Sequence, residues 1–73
     1  MMNLQEVSST TFTSKELESE LLHNGYAWND FLLWAAGKGL CTIATITNAD
    51  GYRRLYTSVD FWEGEDFLEF LGY

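Results

Sequence analysis

Eleven carboxylates against four basic side chains in 73 residues set the chemistry this chain can offer. Asp60, Glu63, Glu65, Asp66 and Glu69 form one cluster, with no base after Arg54, and Glu16, Glu18 and Glu20 form a second. Carboxylates at this density can keep an aromatic-rich surface solvated. They can also accept hydrogen bonds from the Arg and Lys of a partner, in the places phosphates would occupy. A catalytic acid–base pair needs a cleft and environments that split the two pKa values, and a chain this short has little room for one. The formal charge of -7 repels nucleic acid and anionic membranes and speeds encounter with basic surfaces. The candidate partner-contacting residues are Asp60, Glu63, Glu65, Asp66, Glu69, Glu16 and Glu20, with the aromatics Trp62 and Tyr56 as anchors.

The remaining chemistry-bearing residues are sparse. His23 is the single histidine and Cys41 the single cysteine, and with surface carboxylates they meet no metal-ligand spacing. No metal or cofactor is expected. His23 reads as a helix C-terminal residue near the negative end of the dipole. Neither Cys41 nor Ser58 has a neighbouring signal for activation as a nucleophile. Gly37-Lys38-Gly39 follows a helical pattern where a phosphate loop would open one, so it reads as a helix stop. Three Trp, four Tyr and five Phe are more than one small core normally needs. Trp28, Trp34, Tyr52, Tyr56, Phe61 and Trp62 are the candidates for an exposed patch rimmed by acids.

Local patterning supplies the elements that must position these groups. Thr13 and Glu16 have capping-box spacing, and Phe12 and Leu17 the spacing of a hydrophobic staple, so a helix is expected over 14–23. Asn24-Gly25 is its stop. A second helix over 27–36 carries Ala27, Phe31 and Ala35 with Trp28, Leu32, Leu33 and Trp34, and is apolar around most of its circumference. Residues 40–47 and 52–59 read as a β-hairpin about the turn Asn48-Ala49-Asp50-Gly51, with a glycine bulge as the alternative that would shift the register. Leu40, Ala44 and Ile46 favour one face, with Leu55 and Val59 on the same side. The tail reads as a short helix, with Glu65 and Asp66 in its first turn and Phe67, Leu68 and Leu71 on its apolar side. A third strand turning at Glu63-Gly64 is the alternative. Residues 1–11 read as a flexible arm or an edge strand. No internal repeat is evident.

The expectation is one α+β domain spanning residues 1–73: two N-terminal helices packed on a β-hairpin, with a short C-terminal helix or third strand. A lone cysteine excludes an internal disulfide and suits a reducing compartment. No secretory signal or membrane span is read, so a cytoplasmic protein without membrane contact is expected. The expected function is non-enzymatic: a regulator or inhibitor that masks a basic or nucleic-acid-binding surface of a larger protein, without itself binding nucleic acid. Such size and charge recur among phage-encoded inhibitors, including anti-CRISPR and anti-restriction proteins, and among immunity proteins. This is an association of composition, and no motif identifies a family. The alternatives are a homodimer formed through the apolar helix 27–36 and a winged-helix-like DNA binder with WNDFLLWAAGK as recognition helix.

Overall fold

A computed structural model describes residues 3–73. Its elements, in order, are helix α1 (Leu4–Ser8), strand β1 (Thr11–Thr13), helices α2 (Ser14–His23) and α3 (Trp28–Gly37), strands β2 (Ala44–Thr47), β3 (Arg53–Tyr56) and β4 (Phe61–Glu63), and helix α4 (Gly64–Leu71). The architecture is α+β, with two separate antiparallel pairs, β1–β4 and β2–β3.

Helix α2 begins where its caps require. The Glu16 amide donates to Thr13 Oγ1 at 3.2 Å, and the Thr13 amide donates back to Glu16 Oε1 at 3.0 Å. At the other end the Gly25 amide reaches Leu22 O and the Tyr26 amide reaches Leu21 O. That double bond requires the left-handed φ of +83° that Gly25 adopts. The hydrogen bond from the Thr13 backbone holds the Glu16 carboxyl below the usual glutamate range, with a further contribution from the Thr13 hydroxyl. A depressed folded-state pKa contributes stability above the unfolded value of about 4.3, which is lost as pH falls through the folded value. Glu16→Gln is therefore expected to lower the melting temperature at neutral pH. The gap to the wild type should close as the pH drops below the ordinary glutamate range; a gap independent of pH would contradict the assignment.

Residues 1–11 were expected as an arm or edge strand, and residues 4–8 are instead helical; Met1 and Met2 lie outside the described residues. Asn3 caps α1, its Oδ1 accepting from the Glu6 amide at 2.8 Å. A five-residue helix cannot stand on propensity alone; α1 is held by packing against α4. The strand alternative is realised just beyond it. In β1, Thr11, Phe12 and Thr13 face Glu63, Trp62 and Phe61 of β4. Here the structure shows a repeat that the sequence conceals. Each of these strands runs directly into a helix, and the Ser14 amide donates to Asp60 O as the Gly64 amide donates to Thr10 O. An offset of 50 residues relates the two halves, placing Phe12 over Trp62, Leu17 over Phe67 and Leu21 over Leu71. This pairing joins the two strand–helix units side by side.

Between the halves lie α3 and the hairpin. α3 spans 28–37 with Ala27 as its N-cap, one residue later than the pattern suggested. The turn at 48–51 combines both expected forms. The Gly51 amide donates to Asn48 O at 2.9 Å and the Asn48 amide to Tyr52 O at 2.8 Å, while Gly51 sits at φ +87° as the bulge residue. The resulting register sets Thr45 opposite Leu55 and Ile46 opposite Arg54. Ala44 and Ile46 therefore lie on the face away from Leu55, contrary to the expectation, because one residue of bulge exchanges the faces. The paired strands are also shorter than 40–47 and 52–59.

The core is Phe12, Leu17, Leu21, Trp28, Phe31, Leu32, Ala35, Leu55, Trp62 and Phe67, drawn from both halves, α3 and β3. The indole N–H of Trp62 is satisfied: Trp62 Nε1 donates to Ser14 Oγ at 2.9 Å, and that hydroxyl donates to Val59 O at 2.8 Å. Asn29 of α3 closes one edge of the hairpin. Its Nδ2 donates to Arg53 O at 2.9 Å and its Oδ1 accepts the Leu55 amide at 3.0 Å, as a neighbouring strand would. Replacing Asn29 with Ala leaves a half-buried N–H without a partner and is expected to cost about 1–3 kcal/mol. A denaturation midpoint equal to that of the wild type would contradict this role.

Candidate protein-binding surface

The carboxylates divide into those used by the fold and those left for solvent or a partner. Glu16 caps α2. Glu18 receives Arg54 Nη2 at 3.0 and 3.4 Å, and Glu69 pairs with Lys38. The Glu18 pair raises the Arg54 pKa further above its ordinary value, chiefly through the hydrogen bond to Glu18. Both ion pairs are partly exposed, so each is worth no more than about 1 kcal/mol. Among the described residues, Glu20, Asp30, Asp60, Glu63, Glu65 and Asp66 have no ion-pair or side-chain hydrogen-bond partner. Asp60 and Glu63 flank β4, while Glu65 and Asp66 occupy the first turn of α4, where the helix dipole favours them. Asp66 is half-buried and the other three are exposed.

Charge is also segregated along the fold. Residues 38–59, which contain the hairpin, carry Lys38, Arg53 and Arg54 against Asp50, a net +2; the rest carries Lys15 against ten acids, a net −9. The unneutralised acidity therefore belongs to the paired strand–helix halves and their flanks. Of the two proposed aromatic anchors, Tyr56 is 42% exposed, with the Arg54 guanidinium 5.7 Å from its ring centre. Trp62 is 3% exposed and belongs to the core, which corrects its assignment as a surface anchor. Its alternation along β4 explains this: Phe61 and Glu63 point outward while Trp62 points in. Trp28 is buried and Trp34 half-buried beside Phe70, so the exposed aromatics of the expected patch reduce to Tyr52, Tyr56 and Phe61.

An open apolar groove of about 460 Å³, which the residue types did not announce, lies between α1, the end of α2 and α4. Leu4, Val7, Phe67, Leu68, Leu71 and Tyr73 line it, with Glu20 and Asn24 at its polar side. The apolar stripe of α4 was the only advance signal, and it reads as core; Phe67 alone of that stripe is fully buried.

Helix α3 has little free apolar surface for either alternative role. Trp28, Phe31, Leu32 and Ala35 are buried within the chain, and Leu33 is its one strongly exposed large apolar residue. It therefore offers neither a broad dimer face nor a free recognition surface for a DNA groove. Among the described residues no three His, Cys, Asp or Glu side chains converge on a possible metal site, and no helix is long and apolar enough to cross a membrane. No protein-family model matches the chain, and no curated protein or solved structure matches it.

Proposed function

We propose that this chain is a small acidic, non-enzymatic binding protein: a regulator or inhibitor that covers a basic or nucleic-acid-binding surface of a larger protein. The observation that supports the reading best is the set of unpaired carboxylates on one part of the fold. Glu20, Asp60, Glu63, Glu65 and Asp66 belong to the net −9 portion, while Arg53 and Arg54 lie on the hairpin and Lys38 is taken up by Glu69. The field of these unpaired acids accelerates encounter with a cationic surface and supplies acceptors for Arg and Lys once it is reached. The groove beside Glu20 provides apolar area that a charge-only contact would lack. Masking of this kind requires no reacting group, only steric coverage and charge complementarity. Inhibition of a nucleic-acid-handling enzyme, as by an anti-CRISPR or anti-restriction protein, is one form it would take.

The immobilised protein, exposed to host lysate, is expected to retain a basic, nucleic-acid-handling protein at low salt and to release much of it as salt is raised. Added nucleic acid should compete for that partner. Retention of partners without basic character, or retention indifferent to salt, would overturn the electrostatic reading.

A further inference from the structure

The two edges of the hairpin are treated differently by the fold. The edge formed by β3 is closed, because the Asn29 amide occupies Arg53 O and the Leu55 amide. Since those groups face away from β2, their register partners Thr47 and Thr45 turn their own N–H and C=O groups outward on the opposite side. No backbone or side-chain hydrogen bond among the described residues reaches the outward groups of Thr45 or Thr47. All four residues of β2 are exposed. Short length is the one defence β2 has: from Gly39 to Ala49 there is no charged residue and no proline, and the bulge lies in the turn, outside β2.

We infer that the open edge of β2 pairs with β2 of a second copy, giving a two-fold, four-stranded antiparallel sheet. In the register centred on Thr45, the outward groups of Thr45 meet those of its own copy, and the outward groups of Thr47 meet Ile43. On one face Thr45 then lies beside Thr45, and on the other Ile46 lies beside Ala44, a pairing of large with small. Charge favours a second copy at this place. The hairpin itself, residues 44–56, carries Arg53 and Arg54 against Asp50, a net +1 on a protein of net −7, so two copies meet here with the least repulsion from their acidic portions. Ile46 at 52% and Tyr52 at 55% exposure would gain cover from the added strands. A strand pair of this length is a small interface, so the association is weak and concentration-dependent. It does not rest on the acidic surface and is tested on the purified protein alone.

The test combines mass with amide exchange. Sedimentation equilibrium from low micromolar to millimolar protein is expected to show monomer passing to dimer. The Thr45 and Thr47 amides should exchange more slowly in the dimeric range, while the Ile46 amide, already in the β2–β3 ladder, changes little. Thr45→Lys sets two like charges opposite one another and should raise the association midpoint about tenfold or more without altering the circular dichroism spectrum. A protein that stays monomeric at millimolar concentration overturns the inference. So does a dimer in which the Thr45 and Thr47 amides exchange as they do in the monomer.

Discussion

Gly64→Ala is expected to be among the most damaging single-methyl additions this chain can suffer. Gly64 is the first residue of α4, buried against the end of α1. A β-carbon there would be driven into the Val7 carbonyl, well inside van der Waals contact, and would lie 3.0 Å from Thr10 O. The obstacles are backbone atoms, which no rotamer change can move. Relief requires α1 to lift from α4 or the β1–β4 pairing to slip, and the Gly64 amide bond to Thr10 O is part of that pairing. Overpacking a core typically costs 1–3 kcal/mol and occasionally more, and the rigid obstacle places this site at the upper end, about 3 kcal/mol. For a domain of this size that corresponds to a fall in melting temperature of roughly 12 °C or more. The equivalent position in the other half is Ser14, whose side chain is used rather than excluded. A melting temperature within a few degrees of the wild type would show that α1 does not pack on α4 as described.

Phe31→Ala is expected to abolish the folded state under ordinary conditions. Phe31 is fully buried, and its ring lies 5.1 Å from Trp62, 5.3 Å from Phe70 and 5.8 Å from both Trp28 and Trp34. It joins α3 to β4 and α4 at the centre of the aromatic cluster, so its loss opens a cavity that no one element can collapse to fill. Truncations of this kind cost about 3–5 kcal/mol. At roughly 0.05–0.15 kcal/mol per residue, a domain this small has a total stability of similar size. Near-UV circular dichroism should lose its aromatic bands at room temperature. Retention of those bands with a cooperative melt would mean that Phe31 is not the junction of the core.

What the sequence disclosed follows the range of the interactions involved. The Thr13–Glu16 box, the Asn24-Gly25 stop and the turn at 48–51 each depend on residues within a few positions of one another, and all are legible. The tail helix was legible through Glu65 and Asp66 in its first turn. α1 was missed although Asn3 and Glu6 have capping spacing, because five polar-rich residues form a helix only when α4 covers them. β1 and β4 are three residues long and pair across some fifty positions, so the sequence offers an edge strand and a third strand only as alternatives and shows neither their pairing nor the repeat they create. Asn29 reads as a polar residue at a helix start; nothing nearby suggests that its amide substitutes for a strand. The hydrophobic alternation of 40–47 fits either face, and the bulge at Gly51 decides between them. For the surface, the acids were identifiable by type, but their division into fold-bound and free groups required the positions of Lys38, Arg54 and Thr13. Trp62 was misplaced because residue type alone does not say which way a strand residue points.

Under the proposed function, the unpaired acids near β4 and α4 carry the contact with a basic partner. The most direct measurement is the affinity of the captured partner, isolated and free of nucleic acid, for the wild type and for a Glu63→Lys, Glu65→Lys double variant. Both side chains are exposed and make no ion pair or hydrogen bond among the described residues, so circular dichroism should show the variant folded. Binding is expected to weaken about tenfold or more at low salt, with a smaller salt dependence than the wild type, as loss of complementary charge at an interface requires. An unchanged affinity and salt dependence in a folded variant would mean that these carboxylates serve only to keep the surface in solution.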